Sequence, residues 1–207
     1  MPKFVSATKA SVPLRPVPAY VGDLAGVLAE TFRLFSRGVA DRRSPFRTPT
    51  IATIGQDNAP GARTMVLRAF DASARCLALH TDRRAGKIDA IVRTPRVAVH
   101  VWNERTAVQI RLSAVARVHA GDDTARAAWA TVPSSARAVY AINPAPGTEV
   151  PAPPPAPTDR GDAFANFAVL ALTFDSLEWL WLDQAGHRRA RFTWGADGLN
   201  HAAWLVP

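Results

Sequence analysis

The sequence predicts a mainly β protein, an antiparallel barrel with a few peripheral helices. Short runs alternate apolar and polar residues at the period of a half-buried strand, and clusters of Gly, Asn, Asp and Pro separate them. No regular alternation of strand with helix runs through the chain, which removes the parallel α/β architectures. The 207 residues, 48% hydrophobic and 20% charged, suffice for one domain with a substantial core. Residues 1–19 read as an N-terminal extension and residues 20–207 as a single domain.

The first element is an amphipathic helix from Tyr20 to Val39, where Val21, Leu24, Val27, Leu28, Phe32 and Leu34 recur at helical intervals. Pro45 and Pro49 stop it, and Thr50 to Ile54 is a strand closed by the turn-forming Gly55-Gln56-Asp57-Asn58. Ala62 to Phe70 and Cys76 to Thr81 follow as strands, then a short helix over Arg83 to Val92 that Pro95 ends. Arg96 to Trp102 reads as a strand. In Thr106 to His119, Val108, Ile110 and Leu112 alternate with Gln109, Arg111 and Ser113, so one face is buried and the other is polar. Asp122 to Ala130 and Ser134 to Ala141 read as helices opened by N-capping residues. Pro144 to Pro157 holds seven prolines, so about 143–160 is an extended surface loop. Phe167 to Phe174, Ser176 to Asp183, His187 to Trp194 and Asn200 to Val206 complete about eight strands.

Several chemistries lack their motifs. There is no G-x-G-x-x-G after a strand, no G-x-x-x-x-G-K-[ST], no H-E-x-x-H and no G-x-S-x-G. The single cysteine, Cys76, excludes a disulfide framework, and the five histidines show no paired ligand spacing, so no metal site is expected. No apolar run approaches the roughly 20 residues that cross a bilayer, and the chain reads as soluble, cytoplasmic and without a membrane partner. The formal charge of +8 comes almost wholly from arginine and favours an anionic partner. Nucleic-acid binding would rest on that charge alone, since no recognition helix or aromatic interleaving accompanies it.

Three segments place cations near strand ends. Arg63 and Arg68 stand five residues apart, on opposite faces of a regular strand unless a bulge or strand end redirects one. His80-Thr81-Asp82-Arg83-Arg84-Ala85-Gly86-Lys87 passes from a strand into a helix start, where free amides, the Thr81 hydroxyl and the Lys87 ammonium can converge on a phosphate. His187-Arg188-Arg189-Ala190-Arg191-Phe192 sets Arg189 and Arg191 on one strand face with His187, and Arg188 on the other. Any one of these segments alone reads as a solvated charged edge.

In order and separation the motifs resemble the pyridoxamine 5'-phosphate oxidase superfamily of flavin mononucleotide (FMN) binding split barrels, over about Thr50 to Pro207. The matching stretches are Arg63 to Arg68, His80-Thr81 through Lys87, Thr94 to Val97, Val108 to Arg111, His187 to Phe192, and Trp204 to Pro207. The ending resembles the shorter cyanobacterial and proteobacterial branch. The resemblance implies an FMN-dependent oxidoreductase that passes a substrate hydride to flavin N5, with oxygen or another acceptor recycling the cofactor. It implies Arg63, Thr81 and Lys87 at the FMN phosphate, with His80 and Arg84 in the same turn, and the main chain of Met65 and Val66 along the ring. Gln109 would reach the ring from a second subunit, with Trp181 and Arg191 on the flavin side, and His187 and Arg188 would hold the substrate. The partners implied are a second copy, forming a homodimer with FMN at the interface, and a small phosphorylated or aromatic substrate.

Departures from the pattern bear on the substrate. Ala85 and Gly86 stand where the oxidases carry Ser and Arg, leaving Arg83 and Arg84 as candidate replacements. Arg68 replaces the lysine of the substrate phosphate site, and Trp129, Arg137 and Tyr140 stand in a stretch without a clear match to the oxidase motif. Trp181 differs by one residue in its distance to His187, which on a strand reverses the face. A flavin-binding or redox-sensing module without vitamin B6 turnover is the alternative reading.

Overall fold

The computed structural model describes residues 16–155, 157, 163–184 and 186–207. Residues 1–15 of the expected extension and residues 156 and 158–160 of the proline-rich loop lie outside the described residues. The strands are β1 (Thr50–Ile54), β2 (Pro60–Thr64), β3 (Leu67–Asp71), β4 (Cys76–Asp82), β5 (Arg96–Asn103), β6 (Val108–His119), β7 (Phe167–Trp181), β8 (Arg188–Gly195) and β9 (Gly198–Leu205). They form one antiparallel sheet in the order β2-β1-β5-β6-β7-β4-β3, with β8 and then β9 added on β7.

The expected strands 167–174 and 176–183 are a single strand, β7, of 15 residues. The register with β6 slips between Ser113 and Ala114, which face Ser176 and Phe174, so Asp175 is the extra residue of a bulge. The bend lets one strand serve two neighbours. Residues 167–173 of β7 pair with β4 and residues 176–181 pair with β8, while β6 runs along both halves.

The expected strand 62–70 also differs, because it breaks at Met65 and Val66. β2 pairs with β1 and β3 pairs with β4, so the chain crosses from one edge of the sheet to the other at this point. The Met65 amide donates to the Pro49 carbonyl at 3.0 Å and fixes the crossing.

α1 (Leu24–Ala40) starts later than the apolar period suggests, because a 3-10 turn holds Ala19–Gly22 and the Asp23 carboxylate caps the amides of Ala25 and Gly26 at 3.3 and 2.7 Å. Its apolar face inserts Phe32 and Phe35 among the sheet aromatics. Phe35 meets Phe46 edge-on at 5.0 Å, and Phe32 meets Phe70 at 5.5 Å. The main core therefore lies between α1 and the inner rows of the sheet, with Leu77, Ile110, Leu177, Trp179 and Phe192 all under 2% exposed. α2 (Gly86–Arg93) follows β4, while α3 (Asp123–Thr131) and α4 (Ser134–Arg137) cover the outer face of β7. There Ala125, Tyr140, Phe167 and Val169 form a second cluster. The helix expected over 134–141 is α-helical only to Arg137 and continues as a 3-10 turn over Ala138–Ala141. Among the described residues no helix is long and apolar enough to cross a membrane.

Candidate functional site

The break at Met65 and Val66 creates the site. On an unbroken strand Arg63 and Arg68 would face opposite sides, but the crossing between β2 and β3 lets both border one cleft of about 590 Å³. Met65, Val66, His80, Thr81 and Lys87 also line it, as do Pro146 and Gly147 of the proline-rich loop. Residues expected at a phosphate are thus brought together from β2, β4 and the first turn of α2.

Each cation is held by a local device. Arg63 lies back over β1, donating from Nη1 to Thr53 Oγ1 at 2.8 Å and to the Ile51 carbonyl at 3.2 Å. Burial pushes its pKa down. A Cβ on Gly61 would come within 3.0 Å of Arg63 Nη2, so the glycine leaves room for the guanidinium. Lys87 donates from Nζ to Thr81 Oγ1 at 2.9 Å, and Thr81 is buried at the end of β4. Burial first and the charge of Arg63 second pull the Lys87 ammonium below the usual lysine range, against a smaller opposing effect of Asp82. Ala85, the N-cap of α2, offers no side-chain oxygen to the helix amides, which leaves that end of the helix open to an anion. His80 packs edge-on against Phe167 at 4.9 Å, and burial with the nearby Arg68 pushes its pKa down to about 4. It borders the cleft as a neutral imidazole at physiological pH.

Arg84 does not join this group. Its guanidinium grips Asp82 at 3.0 and 2.7 Å and donates to Asn143 Oδ1 at 2.8 Å and the Ile142 carbonyl at 2.9 Å. It ties the start of the proline-rich loop to the β4–α2 turn. Arg83 donates to the Ala165 carbonyl at 3.4 Å. Neither arginine borders the cleft beside Ala85 and Gly86, and a Cβ on Gly86 would meet nothing within 4 Å.

The remaining candidates lie elsewhere in the protomer, none of them bordering the cleft. Gln109 on β6 meets His100 Nε2 at 3.3 Å. Registers across β5, β6, β7 and β8 put His100, Arg111, Glu178 and Arg191 in one cross-strand row on the outer face. There the Glu178 carboxylate accepts from Arg189 and Arg191, each at 2.7 Å, and faces Arg111 at 3.7 Å. Burial raises its pKa, and the three guanidinium groups outweigh that and hold it below the usual carboxylate range. Trp181 is on the opposite face from Gln109 and Arg191. It is 4% exposed, pairs in register with Val108 and Arg188, and has the Arg188 guanidinium 5.7 Å from its ring. Arg188 and His187 border a separate hollow of about 330 Å³ with Val21, Gly22 and Trp204. His187 Nδ1 accepts from the Asp183 amide at 3.1 Å. The period-two spacing places Arg189 on one strand face with Arg191, as the structure does, but assigns it no partner; Glu178, which joins them, carries no signal of its own in the sequence.

Residues 30–120 match the family model described as pyridoxamine 5'-phosphate oxidase, FMN-binding domain. No curated protein matches the chain at a significant level. Among solved structures it is similar to a pyridoxamine 5'-phosphate oxidase-related, FMN-binding protein from Nostoc punctiforme PCC 73102, at 22% identity and TM-score 0.67, covering 92% of this chain and 98% of that one. It is similar to PhzG from Burkholderia lata 383, solved in complex with tetrahydrophenazine-1-carboxylic acid, at 16% identity and TM-score 0.71, covering 94% and 99%. A protein related to general stress protein 26 from Clostridium acetobutylicum matches at 10% identity and TM-score 0.53, covering 78% and 92%. At these identities the likeness speaks for the fold. The stretch that matches this family model contains Arg63, Thr81 and Lys87, and the chain has the mostly antiparallel split-barrel fold of these structures.

Proposed function

We propose that the chain is an FMN-dependent oxidoreductase that works as a homodimer. The observation that carries the reading is the convergence of Arg63, Thr81 and Lys87 on one cleft at the open N-terminus of α2. A phosphate monoester fits that donor set: two cations without carboxylate partners among the described residues, a hydroxyl, and helix amides. The charge of Arg63 disfavours that of Lys87, and a dianion between them would favour both. When bound, FMN supplies a two-electron acceptor that a substrate reduces and oxygen or another acceptor reoxidises. Met65 and Val66 line the same cleft, and with the Met65 amide already held by the Pro49 carbonyl it is the main chain at Val66 that would lie along a flat ring.

The positions of the other candidates support the homodimer reading. Gln109 and Arg191 sit on an outer sheet face away from the cleft, so a second copy is needed to bring such a face against a bound ring. The experiment is a titration of the purified protein with FMN and with riboflavin, alongside sedimentation with and without FMN. Tight FMN binding, markedly weaker riboflavin binding and a dimer are expected. Equal affinity for the two flavins, or a monomer that holds FMN, refutes the reading.

A further inference from the structure

Arg84 does not border the phosphate cleft, yet its donors connect the floor of the cleft to one of its walls. Nε and Nη2 hold the buried Asp82 carboxylate at the end of β4, while Nη1 reaches Asn143 Oδ1 and Nη2 also reaches the Ile142 carbonyl. The stretch held in this way leads into a tight turn. The Thr148 amide donates to the Ala145 carbonyl at 3.1 Å, with Pro146 and then Gly147 at φ +92° between them, the makeup of a type II turn. Pro146 and Gly147 line the cleft together with Arg63, Thr81 and Lys87. Upstream, Asn166 Nδ2 donates to the Tyr140 carbonyl at 2.8 Å, and the Asn166 carbonyl accepts from the Arg83 amide at 2.8 Å. Downstream, residues 149–155 make no hydrogen bond among the described residues. Among those residues the turn is therefore anchored from its upstream side, and Arg84 is the side chain that joins it to β4.

We propose that residues 142–147 form a strap that retains a phosphate-bearing ligand in the cleft, and that Arg84 is the positioning residue that holds this strap in place. The assignment rests on the reading of the cleft as an FMN site, and it adds how the cofactor is kept there. Asp82 fixes the plane of the guanidinium, so the donors turned away from the carboxylate stay aimed at Asn143 and Ile142. A planar fork serves two partners at once, which an ammonium on a flexible stem does not. The proline and glycine make the turn stiff before a ligand arrives, so little further ordering is needed when one is bound. For a phosphate to leave, the turn must move off that end of the cleft and strain its bonds to Arg84. A flavin without a phosphate leaves that end unfilled, and the strap has nothing there to hold.

The test is the rate at which FMN leaves the loaded protein, followed by the recovery of flavin fluorescence on dilution. Arg84→Ala should speed release by roughly 10-fold or more, the loss of charge-assisted bonds, and leave riboflavin affinity within about twofold. Asn143→Ala keeps the Asp82–Arg84 pair and the Ile142 bond, and should speed release by roughly threefold. Because both act through one strap, the double variant should release FMN no faster than Arg84→Ala alone. Bound FMN should also slow cleavage by endoproteinase Glu-C after the exposed Glu149 in wild type, and much less so in either variant. Unchanged release in Asn143→Ala overturns the strap even where Arg84→Ala fails to fold. Additive effects, which a direct contact of Arg84 with the phosphate would give, or equal loss of riboflavin affinity, also overturn it. A protein that holds no FMN refutes the oxidoreductase instead, and inorganic pyrophosphate then replaces FMN in the Glu-C assay. Protection of Glu149 in wild type but not in Asn143→Ala supports the strap, and no protection overturns it.

Discussion

Replacing Lys87 by methionine separates two effects that the cleft combines. In the folded chain the ammonium is disfavoured by burial and then by Arg63, while its bond to Thr81 at 2.9 Å favours it. Methionine keeps the apolar stem and removes the charge. Losing the bond costs about 1 kcal/mol, and the Thr81 hydroxyl keeps its 3.4 Å contact to the Asp82 carbonyl, so no buried donor is orphaned. Relief of desolvation and repulsion offsets that cost. The unfolding free energy should move by less than about 1 kcal/mol, or roughly 2–4 °C in Tm for a chain of this size. The pH dependence has a definite sign. Because the folded pKa is depressed, the unfolded chain binds more protons between that value and the ordinary lysine value, and wild-type stability rises with pH across this interval. The variant should lack that rise. Affinity for FMN should fall much further than stability, because a charge-assisted hydrogen bond to phosphate contributes about 1.5–3 kcal/mol, a change in Kd of roughly 10- to 150-fold. Quenching of FMN fluorescence measures it, with riboflavin as the control whose affinity should hold. Unchanged FMN affinity in Lys87→Met, or an equal loss for riboflavin, would refute the assignment of the ammonium to a phosphate.

Two further outcomes test the scaffold and the outer face. In Gly38→Ala the added Cβ would lie 2.7 Å from the carbonyl carbon and oxygen of Phe46, backbone atoms that cannot rotate away, so thermal unfolding should show a loss of about 1–3 kcal/mol. Glu178→Gln should cost about 1–2 kcal/mol at neutral pH in denaturant unfolding, a modest figure because the three arginines are partly solvated. Since the folded carboxyl pKa is depressed, that stability is present above the ordinary carboxylate range and is lost as pH falls through the folded value. The variant should therefore show a shallower acid slope than wild type.

Much of the fold was legible because its signals are local. Period-two alternation in Val108 to Ser113 gave the face of β6, the Gly55 to Asn58 turn gave the β1–β2 hairpin, and the Thr81-to-Lys87 spacing gave the strand-to-helix turn that joins hydroxyl to ammonium. The misses are non-local. Whether residues 62–70 form one strand depends on which neighbours they pair with, and β1 and β4 lie at distant places in the sheet. The union of 167–174 with 176–183 depends on a bulge that only the register with β6 reveals. The same register decides the face of Trp181, which the sequence left open between two rows of β7. The cleft itself joins residues from β2, β4, the start of α2 and the proline-rich loop, which no single spacing in the chain announces.

Arg84 shows why a cation near an anion site need not serve it. Its sequence position, three residues before Lys87, made it as plausible a phosphate ligand as Lys87 itself. What distinguishes them is the nearest acid. Asp82 stands two residues before Arg84, and a guanidinium so close to a carboxylate forms a bidentate pair at 2.7 and 3.0 Å, leaving its remaining donors to Asn143 and Ile142. An arginine whose charge is already answered offers less to an incoming dianion. Lys87 and Arg63 sit where the chain provides hydroxyls and carbonyls but no carboxylate within ion-pair reach among the described residues, so their charge is still available. In an arginine-rich chain the density of cations therefore marks an anion site poorly. The cations without a carboxylate of their own mark it better, and by that criterion Arg68 belongs with Arg63 and Lys87 while Arg84 and Arg191 do not.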